Sequence, residues 1–386
     1  MRVKLGELGE IITGNTPKTS DANNYASNDI MFVKPSDISE NTVTLLSKSE
    51  YYISEYARRK ARILPVGSIL VSCIGTVGKI AINTTECAFN QQINAIVPNT
   101  GKCYTKYVAY ALQAIKPQLQ AMANAAVVPI LNKAQFSEIE IILPTIEEQH
   151  RIAAVLDKVT DLIAKRQAQL DKLDELVKSR FVEMFGEPGT DQKGGGMVCL
   201  GSLCIINPKK SQEKRLSSDL RVSFIPMTAV TENGGIDVSE TKTYNEVKTG
   251  FTYFAEKDVL FAKITPCMEN GKGAIAQRLC NGIGFGSTEF HVLRPIPGQS
   301  NPYWIYSLTS FPQFRQDAAS NMTGSAGQRR VPASFLETYK VSAPPIALQD
   351  QFALFVKQIQ RMKAKAHNSL EKLDVLKNSL MQQYFG

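Results

Sequence analysis

The chain has 386 residues, 43% of them hydrophobic and 21% charged, with a formal net charge of +8. That length accommodates two cores of ordinary size, and the composition argues against a disordered or fibrous chain. No stretch approaches the roughly 18 consecutive apolar residues of a membrane span, and Met1 to Leu8 lack a signal-like apolar run, so the expectation is a cytoplasmic protein with no membrane association.

Seven cysteines (Cys73, Cys87, Cys103, Cys199, Cys204, Cys267, Cys280) are odd in number and contain no Cys-x-x-Cys pair. With only His150, His291 and His367 beside them, they read as buried free thiols and not as zinc ligands. Counted along the chain, residues 1–145 and 187–345 each carry +3, while 146–186 and 346–386 carry −1 and +3. Two mildly basic globular parts permit contact with a polyanion without requiring it.

In chain order, residues 1–145 read as a first mixed domain. Val3-Lys-Leu-Gly-Glu-Leu8 opens it, and Leu64 to Ser72 is a polar turn running into a strand. Gly75-Thr-Val-Gly-Lys79 is a tight loop, Ile93 to Pro98 a strand, and Tyr104 to Leu119 helical. Residues 146–186 form a rod. Apolar side chains at Ile152, Leu156, Val159, Ile163, Leu170, Leu173, Val177 and Met184 step by four and three when Arg166 and Arg180 are counted as polar members of the seam, the pattern of a two-helix coiled coil. At about 1.5 Å per residue the rod is about 58 Å long. Glu187 to Gly196 is Gly-rich and polar, a flexible linker ending near residue 197.

The second domain, to residue 345, echoes the first. Val198-Cys-Leu-Gly-Ser-Leu203 repeats its opening, Phe254 to Ala262 its turn and strand, Glu269-Asn-Gly-Lys272 its loop, and Glu289 to Pro295 its proline-ended strand, with Pro302 to Leu308 helical. The second rod, 346–386, places Phe352, Val356, Ile359, Ala366, Leu370, Leu373, Leu380 and Tyr384 on the matching seam, with Lys363 and Lys377 as its polar members. Its Leu370 to Gly386 aligns without a gap on Leu170 to Gly186, 200 positions earlier. Both rods begin alike, at Leu143-Pro-Thr-Ile-Glu-Glu-Gln149 and Ala343-Pro-Pro-Ile-Ala-Leu-Gln349, and each proline marks a strand-to-helix switch. The fold class is therefore α+β: two similar mixed α/β domains joined by two long antiparallel coiled-coil helices, an internal repeat with pseudo-twofold symmetry.

Candidate chemistry is sparse. Gly75 to Lys79 has too few residues between its glycines for a phosphate loop and lacks a following Ser or Thr. Gly194-Gly-Gly196 lies in the linker, and Asn207-Pro-Lys-Lys210 lacks an aromatic to stack on an extruded base. Asp219 with Glu240-Thr-Lys242 is the one arrangement near nuclease spacing. An alternative reading, a stand-alone nuclease or methyltransferase with a coiled-coil dimer interface, rests on such fragments. A DNA-reading binder instead needs amides, hydroxyls and cations on loops. The first domain offers Asn15, Thr16 and Lys18; Lys34 and Ser36; Thr76 and Lys79; and Asn90, Gln91 and Gln92. The second offers Lys263, Thr265, Glu269, Asn270 and Lys272; Ser287 and Thr288; and Gln328, Arg329 and Arg330.

Taken together, these features resemble the specificity subunit of type I restriction-modification enzymes over nearly the whole chain. The likeness rests on the duplicated Pro-x-Ile-x-x-Gln start of each rod, the two coiled-coil segments and the domain before each. It is closer in the second domain, through Ile225-Pro-Met227, Phe261 to Lys272 and Gly286 to Arg294; the first resembles another version through Gly14-Asn-Thr-Pro17 and Gly75 to Lys79. Leu348 stands where the family usually has Glu, and Thr145 replaces a second Pro. The resemblance implies a non-catalytic subunit that binds double-stranded DNA at a bipartite gapped target, one half-site per target-recognition domain. It further implies that the rods dock two adenine-methylating modification subunits and that restriction subunits join them. S-adenosylmethionine and ATP would then sit on those partners, with no cofactor, metal or catalytic residue in this chain.

Overall fold

Strand alternation decides where the cores lie. In the computed structural model, which describes residues 1–123, 128–192, 194, 196–209, 216–325 and 327–386, Ile69 and Val71 face one cluster of buried side chains while Leu70 between them faces another. Ile80 and Ile82 divide from Ala81 in the same way. A sheet with apolar residues on both faces must be covered on both.

The chain divides into two units, Met1–Gln167 with Asn368–Gly386, and Ala168–His367. In unit 1 a five-stranded sheet runs in the order Gly9–Thr13, Ile93–Pro98, Ile69–Ser72, Ile80–Asn83, Thr44–Leu46. One face takes helix Thr105–Ala114, through Tyr107, Val108 and Leu112, and the rod residues Ile152, Ala153 and Leu156. The other face packs Leu70, Ala81 and Ala95 against Met31, Val33 and Phe89 of a second sheet, ordered Tyr51–Ile53, Ile30–Val33, Cys87–Phe89, Ile63–Leu64. A two-stranded antiparallel ribbon, Arg2–Lys4 with Glu140–Ile142, joins the first strand to the last before the rod.

Unit 2 repeats the plan. Its ribbon is Met197–Cys199 with Lys340–Ser342, and its main sheet is Cys204–Ile206, Phe290–Pro295, Val259–Ala262, Gly273–Ile275. Val259 and Phe261 face helix Pro302–Ser310 and the rods, whereas Leu260 and Ala262 face the second sheet, Thr241–Thr243, Arg221–Ile225, Ile283–Gly286, Thr252–Ala255. The expected helices and proline-ended strands are present. The second sheet of each unit goes beyond the sequence reading, because its strands are short and interleaved with polar turns.

The rods are helices of 40 residues each, Ile146–Phe185 and Ile346–Phe385. Within each unit their segments pair antiparallel. In unit 1 Arg166 Nε donates to Ser369 Oγ at 3.2 Å and the Arg151 guanidinium lies 6.0 Å from the Tyr384 ring. In unit 2 Lys363 pairs with Asp174 at 2.7 Å, and Phe181 and Phe185 sit 5.6 and 5.4 Å from Phe352. The expected seam is largely buried: Ile152, Leu156, Val159, Leu170, Leu173, Phe352, Val356, Ile359 and Ala366. Its polar interruptions Arg166 and Lys363 each bridge to the other helix, a device that fixes register. Phe181 and Phe185 lie off the heptad seam yet are buried, because there the domain covers the helix as well as its partner does.

The repeated glutamine explains the repeated motif. Gln149, 1% exposed, donates from Nε2 to Pro144 O (3.0 Å) and accepts from the Tyr104 N–H (2.8 Å), the N-cap of helix Thr105–Ala114. Gln349, fully buried, donates to Pro344 O and Gln299 O and accepts from the Asn301 N–H at 2.9 Å, the N-cap of Pro302–Ser310. One amide thus satisfies orphan backbone groups at two helix starts and locks rod to domain. Leu348 packs, partly buried, on the unit 2 core, whereas Glu148 at the matching position forks onto Arg151.

Four cysteines are buried and Cys199, Cys267 and Cys280 half-buried, all free. Burial pushes the Cys73, Cys87 and Cys204 thiols up to about 12, so they are inert at neutral pH. No helix among the described residues is long and apolar enough to cross a membrane. Glu187 and Thr190 bracket a hydrogen-bonded turn with Pro188 buried. Lys193 and Gly195 of the expected linker, and Lys210, lie outside the described residues.

Candidate nucleic-acid interface

The sequence clusters of unit 1 meet through backbone contacts. Gly14 passes so close to the Asn90 loop that a Cβ there would stand 2.1 Å from Asn90 O, so only glycine fits. Asn15 N–H donates to Phe89 O (3.0 Å), and Thr16 Oγ1 to Gln91 Oε1 (2.6 Å). The hairpin carrying Thr76 and Lys79 joins the same loops: Cys73 N–H donates to Gln92 O, Leu131 N–H to Cys73 O, and Gly75 N–H to Pro129 O, at 2.7, 2.8 and 3.1 Å. Lys79 Nζ reaches Pro35 O at 3.2 Å, tying in the turn with Lys34 and Ser36, while Lys34 Nζ lies 3.1 Å above the Tyr51 ring.

Within this cluster the side chains divide. Thr16, Lys18, Ser36, Thr76 and Gln91 are exposed. Asn90, 6% exposed, spends its amide on Gln92: Nδ2 donates to Gln92 Oε1 and Oδ1 accepts from Gln92 N–H. Asn15 likewise donates to Lys60 O and accepts from Arg62 N–H, both at 2.8 Å. Both amides brace loops with these bonds. Asn15 also brings in the run Arg58-Arg59-Lys60-Ala61-Arg62, which the sequence reading passed over although it is dense in cations. Arg58 pairs with Glu55 and Glu86 and Lys60 with Asp21, while Arg59 is exposed.

Unit 2 builds the same frame from other residues. Lys263 N–H donates to Glu289 O, Val331 N–H to Lys263 O and Thr265 N–H to Arg329 O, at 2.9, 2.9 and 3.0 Å. Lys272 Nζ donates to Met227 O at 3.3 Å, the counterpart of Lys79 on Pro35. Glu269, Asn270, Thr288, Gln328 and Arg329 are exposed, and Lys263, Thr265, Ser287 and Arg330 half-buried. Thr265 Oγ1 donates to Glu269 Oε1, and Ser287 Oγ accepts from Glu289 N–H. Arg330 forks onto Glu289, Nε to Oε2 at 2.9 Å and Nη2 to Oε1 at 2.8 Å. That hydrogen-bonded guanidinium holds the Glu289 carboxyl below its usual range, so the pair is ionised at neutral pH. The sequence places Arg330 and Glu289 in two separate polar clusters, and the structure joins them across 41 positions.

His291 beneath this pair is a bracing residue in a fixed tautomer. Its Nε2 sits 2.8 Å from Val331 O, which can only accept, so Nε2 carries the proton. Nδ1 then accepts from Asn207 Nδ2 at 3.0 Å, while Asn207 Oδ1 takes the Val292 N–H. Burial, foremost, lowers its pKa from the ordinary 6.5. A base whose folded pKa is depressed leaves stability intact above the unfolded pKa. As pH falls below about 6.5 the unfolded chain takes up the proton first, and stability declines until the folded pKa is reached. In unit 1 the same task falls to Asn94, whose Nδ2 donates to Leu131 O. His291→Asn is therefore expected to flatten the fall in melting temperature below about pH 6.5, read by fluorescence of Trp304, the chain's one tryptophan, buried in unit 2. An unchanged pH slope would show that His291 does not titrate in this window.

Among the described residues no group of three or more His, Cys, Asp or Glu is placed to hold a metal ion. Lys242 pairs with Glu240 at 3.5 Å and its Nζ lies 3.6 Å above the Phe224 ring. Asp219 is exposed.

Comparison with known proteins agrees with this architecture. The family model of the type I restriction modification DNA specificity domain matches residues 1–174 and 193–374. Relatives in Escherichia coli include the type I restriction enzyme EcoEI specificity subunit, 37% identical over 47% of this chain and 31% of the relative, and the EcoAI specificity subunit, 37% identical over 52% of this chain and 34% of the relative. The chain thus spans about a third of the length of these relatives. The crystal structure of a type I restriction-modification S subunit from M. genitalium superposes with a TM-score of 0.56 at 13% identity, covering 100% of this chain and 96% of that one. A chain from a study of type I R-M complex assembly and conformational transition gives 0.56 at 15% identity, covering 100% and 97%. At those identities the superpositions establish the fold, and the twofold match to the family model establishes kinship: the chain belongs to the type I restriction modification DNA specificity domain family.

Proposed function

We propose that this chain is the DNA-specificity subunit of a type I restriction-modification complex, reading a bipartite gapped target with one half-site per unit and performing no catalysis itself. The observation that carries the reading is duplication with divergence. Each unit suspends loops rich in hydroxyls, amides and cations on one shared backbone frame, and the side chains on that frame differ between the units. Two similar readers with different side chains suit two different half-sites.

The rods supply the docking faces for modification subunits. Exposed apolar side chains recur on them at the 200-residue offset: Leu162 and Met362 are 49% and 48% exposed, Leu176 and Leu376 47% and 45%. Apolar residues repeated on solvent-facing positions mark interaction surfaces, and a repeat of two suits two copies of one partner. S-adenosylmethionine belongs to those partners, ATP to restriction subunits, and the setting is cytoplasmic.

The test is reconstitution. Purified chain mixed with S-adenosylmethionine and DNA is expected to transfer no methyl groups, and addition of a cognate modification subunit to produce adenine methylation at a single two-part target. Methyl transfer by the chain alone, or methylation without sequence preference in the complex, would overturn the proposal.

A further inference from the structure

The two interfaces share a pair of equivalent positions whose chemistry differs completely. An isolated antiparallel bridge joins Ile74 to Ile130 in unit 1 and Ile264 to Arg330 in unit 2. The residue before each bridge, Cys73 or Lys263, donates its N–H to Gln92 O or Glu289 O and accepts from Leu131 or Val331. Gln92 with Ile130 thus occupies the place of Glu289 with Arg330. Ile130 is 47% exposed, large for an isoleucine whose backbone is tied into the fold. The Arg330 side chain is 41% exposed, against 25% for Glu289.

From this we infer that Arg330, aimed by Glu289, reads a guanine in the half-site of unit 2, and that this position discriminates bases in both units. Glu289 occupies Nε and one Nη2 hydrogen, and Gln328 O takes one Nη1 hydrogen at 3.1 Å. Of the five N–H donors of a guanidinium, this leaves one on each terminal nitrogen. Two guanidinium N–H donors are what guanine O6 and N7 accept in the major groove. A long side chain held at its other edge by a carboxylate has already lost much of the rotamer freedom that binding would otherwise cost. A phosphate contact needs no such aiming. Exposed Arg329 beside it, whose Nη2 donates to Ala319 O, has no carboxylate fork among the described residues. The isoleucine at the matching site has no donor, so no guanine is read this way by unit 1; an apolar side chain there fits a thymine methyl.

This inference rests on the DNA-specificity reading, and its test separates the two. The reconstituted complex with wild-type chain, Arg330→Gln, Arg330→Lys or Glu289→Gln is given a library varied through both half-sites, and methylated sequences are counted. Wild type is expected to require a guanine at one position of the unit 2 half-site. Arg330→Gln should relax that position alone, by ~10- to 100-fold in preference. Glu289→Gln should relax the same position less, because the guanidinium remains but is no longer charge-paired. Arg330→Lys keeps the charge and loses the planar fork, so it should relax the same position, though less than Arg330→Gln because an ammonium still donates to O6 and N7. If Arg330→Gln weakens all sequences alike while Arg330→Lys restores them, Arg330 is a phosphate contact and the inference fails. It fails too if any of the three variants changes the unit 1 half-site or if no guanine is required. A wild-type complex that modifies no two-part target sinks the parent reading instead. Should Arg330→Gln fold poorly by circular dichroism, the two conservative variants still decide.

Discussion

Replacing Arg315 with methionine is expected to destabilise unit 2 by about 2–3 kcal/mol, the loss typical when buried acceptors lose their donor. Arg315 is 6% exposed, and three backbone carbonyls take its hydrogens: Thr309 O from Nε at 2.6 Å, Met268 O from Nη1 at 2.8 Å and Gly271 O from Nη2 at 3.2 Å. Its guanidinium lies 4.5 Å from the Phe261 ring. Burial lowers its pKa to about 10, so it stays charged at neutral pH. Methionine fills similar volume and offers no donor, taking the guanidinium bonds from Thr309 O and Gly271 O while Met268 O keeps the Gly271 N–H. Lysine keeps the charge, but its single ammonium cannot reproduce a planar fork, and an intermediate loss is expected. Denaturant titration followed by Trp304 fluorescence measures both; a methionine variant within about 1 kcal/mol of wild type would show that the guanidinium does not hold the loop.

The consequence reaches recognition, because Met268 and Gly271 belong to the loop that carries Thr265, Glu269 and Asn270. Unit 1 holds its shorter hairpin differently. Ser72 Oγ donates to Thr76 O and accepts from Lys79 N–H, and Gln120 Nε2 donates to Val77 O. A compact hairpin closes on a hydroxyl and an amide; the longer loop of unit 2 needs a guanidinium reaching from the helix behind it.

These contrasts show which features were legible in the sequence. The rods were, because heptad spacing is a local pattern and the 200-residue repeat doubles the signal. The strands of the main sheets were, since alternation and proline ends are local too. The glutamine of the repeated motif was visible as a motif but not as a clamp, because its partners, Tyr104 and Asn301, lie some 45 residues upstream. Amide side chains carry little local information: Asn15 and Asn90 have the right chemistry for a base edge, and only the fold shows that they also bind backbone and side chain around them. Glu289 and His291 are visible as residue types but not in their roles, since their partners Arg330 and Val331 are some 40 positions away and meet them only once the chain folds.

Exchanging residues 197–342 for the corresponding segment of a relative is expected to replace the half-site read by unit 2 in full and leave the other unchanged. The boundaries follow from the ribbon in which Val198 faces Val341: a cut outside it transfers both strands together, whereas one within it would pair strands of different origin. The root of the graft must also be conserved in shape, since Phe311 packs 4.9 Å from Phe181 of the first rod and Trp304 shares the core holding Phe352 of the second. A donor differing there should be corrected toward this chain before specificity is judged, because a large-to-small change in such a core costs about 3–5 kcal/mol by itself. Each altered base pair in a specific site is worth about 1–3 kcal/mol, roughly additive across separated positions, so a half-site changed at several bases should be recognised almost exclusively in its new form. Methylation mapping of DNA modified by the reconstituted chimera reads the outcome directly. New bases in both half-sites would show that the units do not read independently, and unchanged bases in both would show that the loops of unit 2 are not the reader.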